Sequence, residues 1–246
     1  SAFALYNQSM IKNVALRARL FVILLAGLVV AGCTDTVPKG GGDILVIGDS
    51  VMAWNGSADK SIGDVMGQVL NRQVVDKSVP GAKFSNDNAL FSALGFDIQQ
   101  QYPGGTWNWV VLDGGANDLG FSDCKCAACT PIVDKLIAAD EQSGDIPKFI
   151  RKLRGSGAQV LWMGYYAGNG KGSFEGCRDD LVLMERRIAR YAAHTTGVTF
   201  LDAENVIDQT DPTLFASDNT HPSAKASKII GTYLAKAISA RDDRSH

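Results

Sequence analysis

Four short pieces of the chain hold the residue types that acyl transfer requires: Gly48-Asp49-Ser50, Gly81, Gly115-Ala116-Asn117-Asp118 and Asp218-Asn219-Thr220-His221-Pro222. A serine hydroxyl is a weak nucleophile at neutral pH. It needs an imidazole to take its proton, a carboxylate to orient that ring, and hydrogen-bond donors aimed at the developing oxyanion. Each requirement has a candidate here. His221 sits three positions after Asp218, so base and orienting carboxylate share one loop. Of the other two histidines, His194 falls near the end of a helical segment and His246 in the tail, and neither is assigned to chemistry.

Each residue taken singly also has a structural reading. Ser50 can cap a helix that follows a buried strand, Gly81 can be the turn glycine after Pro80, and Asn117 can satisfy backbone groups of its own loop. Asp49 and Asp118 are read as holding loop amides and helix starts. The chemistry rests on the ordered set, and on the elements that must bring it together.

Those elements alternate. Continuous apolar runs predict strands at 43–48, 74–79, 109–113, 159–163 and 198–201, the pattern of strands buried on both faces. Helical spacing is present at 62–70, 132–139, 146–154, 181–195 and 223–238, with mixed helical character over 86–101. Strands separated by helices need crossover connections, which predicts a three-layer α/β/α sandwich around a mainly parallel five-stranded sheet. Ligands of such sheets gather at the carboxyl ends of the strands. Ser50, Gly81 and Asn117 each follow a predicted strand end, so the fold brings all three to one rim.

This ordered set resembles the SGNH hydrolases, also called GDSL-type esterases and lipases, across the whole span from Asp43 to the last helix. The resemblance implies a flavodoxin-like fold, with Ser50 as nucleophile, His221 as base and Asp218 as its orienting carboxylate. It makes the Ser50 amide, the Gly81 amide and the Asn117 side chain the oxyanion hole, and it calls for no metal or organic cofactor. The ordinary α/β-hydrolase elbow, G-x-S-x-G, is absent.

Ahead of the domain, Lys12, Arg17 and Arg19 precede the apolar run Leu20–Ala31, which is too short to span a bilayer as a helix and reads as an export signal. Its ending, Leu28-Val29-Val30-Ala31-Gly32-Cys33, resembles the lipobox of bacterial lipoproteins. That resemblance implies cleavage of residues 1–32, acylation of Cys33 and a lipid-anchored place in the cell envelope, on the periplasmic face of a bacterial membrane. Thr34 after the cysteine points to the outer membrane. Residues 33–42, with Gly40-Gly41-Gly42, read as a flexible tether, 43–240 as the hydrolase domain and 241–246 as a polar tail. Residues 1–9 are given no function.

The formal charge of −2 falls to about −5 without the three basic residues of the leader. No basic patch with interleaved aromatics is present, which argues against nucleic-acid binding. Cys124, Cys126, Cys129 and Cys177 form an even set in an exported chain and are read as disulfides rather than a metal site. Three full pairings are open, each joining one of the clustered cysteines to Cys177 with the other two paired. Among the aromatics Trp54, Trp107, Trp109, Trp162, Tyr165, Tyr166 and Phe174, Trp54 is the candidate wall of a substrate cleft, with core as its alternative. The stretch 167–176 is rich in glycine and reads as a mobile loop at the cleft.

The expected activity is therefore hydrolysis of carboxylic esters, of short acyl or acetyl groups on envelope glycans or small molecules. A lysophospholipase or thioesterase would use the same triad. A carbohydrate-binding lipoprotein that keeps the fold without catalysis is the alternative from another class.

Overall fold

Strands β1 (Gly41–Ile47), β2 (Val74–Asp76), β3 (Thr106–Leu112), β4 (Gln159–Gly164) and β5 (Val198–Asp202) pair in the order β2-β1-β3-β4-β5, all parallel. The computed structural model describes Pro38, residues 40–86 and residues 88–243. Leu20–Ala31, Cys33 and most of the expected tether lie outside the described residues. The centres of β1, β3 and β4 are fully buried at Ile44–Ile47, Val110–Leu112 and Val160–Met163. That is why they read as unbroken apolar runs rather than as an alternation.

The helices are α1 (Ser50–Ala53), α2 (Ile62–Leu70), α3 (Ala116–Gly120), α4 (Thr130–Leu136), α5 (Asp145–Gly155), α6 (Arg178–Ala193) and α7 (Ala224–Asp242). α2 packs against α7, whereas α4 packs with both α5 and α6, α5 covers β4 and α6 covers β5. The result is the expected three-layer α/β/α sandwich. Trp107, Trp109 and Trp162 belong to its core.

Boundaries differ from the sequence reading where side chains redirect the backbone. β1 starts at Gly41, paired with Thr106, two residues earlier than expected. β2 stops at Asp76 because its carboxylate accepts from the Ser78 amide at 2.9 Å and turns the chain, although Lys77 and Val79 still donate to Val46 and Gly48. The 86–101 stretch breaks into short turns at Ala89–Phe91, Ser92–Phe96 and Ile98–Gln101. Asn88 and Asp97 each cap a new start there, and Gly95 takes a left-handed φ of 87°. At the far end α7 runs to Asp242, which is ion-paired to Arg72 at 2.5 Å.

The four cysteines form two disulfides, Cys124–Cys129 and Cys126–Cys177. All three pairings open to the sequence join one clustered cysteine to Cys177, and the structure selects Cys126 for it. That bridge ties the loop after α3 to the start of α6.

Candidate active site

In a parallel sheet of order 2-1-3-4-5 the chain leaves β1 toward one edge and β3 toward the other, which opens a crevice between their carboxyl ends. Ser50 stands at the first position of α1, directly after β1. Asn117 stands in the first turn of α3, directly after β3.

The loop carrying Ser50 is fixed by buried polar groups. Asp49 caps α1 by accepting from the Val51 amide at 2.9 Å, and its own amide donates to Asp113 Oδ1 at 2.9 Å. The Tyr165 hydroxyl donates to Asp49 Oδ2 at 2.6 Å. Gln101 closes on Gly48 from both sides, accepting from its amide at 2.7 Å and donating to its carbonyl at 3.0 Å. Gly48 has no alternative residue: a Cβ there would lie 2.0 Å from Asp113 Oδ1.

The histidine arrives from the other end of the chain. His221 Nε2 lies 2.7 Å from Ser50 Oγ, and its Nδ1 lies 2.6 Å from Asp218 Oδ2. The second oxygen of Asp218 accepts from the amides of Thr220 and His221, both at 3.0 Å. Burial pushes the Asp218 carboxyl up. The His221 amide, the His221 ring and the Thr220 amide outweigh it and hold the group below its ordinary value. A carboxylate at Nδ1 and a hydroxyl at Nε2 are the arrangement a serine nucleophile needs.

The sequence profile of the GDSL-like lipase/acylhydrolase family matches residues 46–229, a span that runs from β1 through the histidine loop. The chain belongs to this family. The chain is similar in fold to Est24, a carbohydrate acetylesterase from Sinorhizobium meliloti, at 15% identity and a TM-score of 0.54, over 81% of this chain and 99% of that one. The inhibitor-bound aryl esterase of M. smegmatis gives 16% identity and a TM-score of 0.54, over 81% and 99%. A protein from Slackia heliotrinireducens assigned as an SGNH hydrolase gives 20% and 0.56, over 80% and 98%. No curated protein sequence matches the chain. The chain is thus a hydrolase of the SGNH superfamily.

Within this hydrolase, Asn117 is 3% exposed and its amide nitrogen donates to Ala82 O at 2.8 Å. A side-chain amide has two N–H donors, so one remains available. Asn117 lines the cavity at Ser50, whereas Gly81 lies in the neighbouring turn with φ of 81°, outside the cavity lining. Asp118 does what was expected of it: it accepts from the Phe84 amide at 2.7 Å and so anchors the segment that follows Gly81. Burial pushes its carboxyl up to about 7, against those amide bonds.

The cavity holds about 70 Å³. Val51, Tyr165, Tyr166, Phe174 and Leu181 supply its apolar walls. The glycine-rich loop borders it as expected, through Gly168, Gly172 and Phe174. It is held there by several bonds. Asn169 donates to Asn219 at 3.0 Å, the Ser173 amide to Thr220 Oγ1 at 2.9 Å, and the Cys126–Cys177 bridge fixes its end. Trp54 is not in the cavity lining; its indole stacks on the His221 ring instead.

Asp113, Gln101, Tyr165 and Thr220 were not singled out in sequence as parts of the site. For Asp113 a signal existed: an acid closing a fully apolar strand. Burial and the adjacent Asp49 charge push its carboxyl well up. Burial likewise raises Asp49, and it raises Tyr165, which therefore stays a donor.

Proposed function

We propose that the protein is a serine esterase that hydrolyses short-acyl or acetyl esters, of glycans or of small molecules, through an acyl-enzyme. The observation that carries this reading is the unbroken chain Ser50 Oγ, His221 Nε2, His221 Nδ1, Asp218 Oδ2, with links of 2.7 and 2.6 Å beside a cavity. His221 takes the proton of Ser50 as Oγ attacks the ester carbonyl. The carbonyl π pair moves onto oxygen, facing the free N–H of Asn117 and the amide of Ser50. Collapse expels the alcohol, which takes the proton from His221. Water then repeats the sequence on the acyl-enzyme and releases the acid.

Acyl length follows from the cavity. At roughly 10–15 Å³ per water-sized site, 70 Å³ gives room for about five heavy atoms. An acetyl to butyryl group fills it, and a longer acyl chain would have to extend past its mouth. The test is a p-nitrophenyl ester series from acetate to decanoate, with fluorophosphonate labelling of the same preparation. We expect labelling at Ser50 and kcat/KM falling beyond about four acyl carbons. An optimum at octanoate or longer overturns the short-acyl reading, and a folded protein with neither labelling nor turnover overturns the esterase.

Asn117→Ala should lower kcat about 10²–10³-fold with little change in KM, since an oxyanion donor acts mainly in the transition state. An equal loss in KM and none in kcat would assign Asn117 to ground-state binding.

A further inference from the structure

The indole of Trp54 lies almost flat on the imidazole of His221, with ring centroids 3.7 Å apart and planes 6° from parallel. Neutral aromatic pairs favour offset or edge-on arrangements with centroids about 4.5–7 Å apart, and a full face-to-face sandwich is not their preferred geometry. A cation over an indole face is a different case, drawn in by the negative face of the ring. The geometry observed is the one that suits imidazolium on indole.

Two local features place the ring. The Trp54 amide donates to Ser50 O at 2.9 Å, so Trp54 stands one helical turn beyond the nucleophile on the same side. The next residue, Asn55, takes a left-handed φ of 68° and donates its side-chain amide to Pro222 O at 3.0 Å and Ser227 Oγ at 2.9 Å. That pair of bonds fastens the end of the Ser50 turn to the residue after His221 and to α7. The imidazole is thereby held in its plane by Ser50 and Asp218 and on one face by Trp54.

During the reaction His221 becomes a cation while Ser50 or water attacks and the nucleophile's proton resides on Nε2. We propose that Trp54 is a positioning residue that holds the His221 ring in the plane of the relay and stabilises its transient imidazolium, and that Asn55 keeps it there. This rests on the esterase reading above. It gives Trp54 no contact with substrate, so its removal acts on kcat and spares KM.

The test compares Trp54→Phe, which keeps an aromatic face, with Trp54→Leu, which keeps apolar bulk alone. Both are assayed for p-nitrophenyl acetate turnover and for the rate of fluorophosphonate labelling. A cation–π contact of the usual strength corresponds to roughly a 3- to 30-fold rate effect. We expect Leu to lose about tenfold in kcat and in labelling rate at unchanged KM, and Phe to recover most of it. Equal behaviour of Phe and Leu would leave packing as the sole role, and a loss confined to KM would make Trp54 a substrate wall; either overturns the proposal. Intact enzyme supplies a second reading that needs no Trp54→Leu protein to fold. Protonated imidazole in contact quenches indole emission, so acidification should dim the wild type more than His221→Ala or Trp54→Phe. Identical titrations of all three would show that the stack is absent. If wild type neither turns over ester nor labels, the esterase reading fails first.

Discussion

Ser50→Ala and His221→Ala each reduce kcat for p-nitrophenyl acetate by about 10⁴-fold or more, and the double variant is no slower than either single one. The reason is that the two side chains act as one device. His221 has no proton to accept without Ser50 Oγ at 2.7 Å, and Ser50 has no base without His221. Asp218→Asn should cost less than either. Its carboxylate is 38% exposed and sets the ring's tautomer without taking part in bond making. Kinetics of the four proteins on one substrate settles the matter, and losses that multiply in the double variant would rule out a shared step. Folding is not at stake in Ser50→Ala. The loop is held by Asp49, Asp113, Tyr165 and Gln101, none of which bonds to Ser50 Oγ.

The second large effect is on stability as pH rises. Burial pushes Asp76 up to about 6, Asp118 up to about 7 and Glu185 up to about 8. Each therefore holds a proton in the folded state that it has already lost in the unfolded one, near pH 4. Their contribution to stability is complete below about pH 4 and is lost as pH climbs to the folded values, by ~1.4 kcal/mol per pH unit for each group within its window. A thermal scan should show Tm falling by roughly 10 °C or more between pH 5 and 9. Glu185→Gln isolates one member. Its amide oxygen can still accept from the Tyr165 amide, which now reaches Glu185 at 2.5 Å, and it has no charge to bury. The variant should match wild type near pH 5 and exceed it by roughly 5 °C at pH 9. A variant that melts earlier than wild type at both pH values would mean that the ionised carboxylate is tolerated in place.

The parts that were legible in sequence are those whose signal is local. β1, β3 and β4 are apolar on both faces through their centres, so a run of about five residues declares them, and the shorter run at β5 does the same for an edge strand. Ser50 follows such a run at once, and Asp218 and His221 announce themselves by spacing before a capped helix. The 86–101 segment was less legible because its turns depend on distant partners. Gln101, for example, finds Gly48 across 53 positions. The braces of the site share that property. Tyr165 meets Asp49 across 116 positions and Asn55 meets Pro222 across 167. An uncharged or single polar residue gives no hint of a partner that far away. Trp54 illustrates the remainder: its type and its place after Ser50 pointed to the site, and only the fold shows that it faces the histidine rather than the cavity.

Nucleophile and base lie 171 residues apart, one at the opening of the first helix and the other just ahead of the last. Four of the five strands lie between them in the chain. While the chain is being made, the serine loop can form early and still do nothing, because its base has not yet been synthesised. On the same reading a chain that stops short of His221 lacks its base, however much of the sheet it completes. On the proposed mechanism, hydrolysis waits until the chain through His221 has been made and its loop has met that of Ser50.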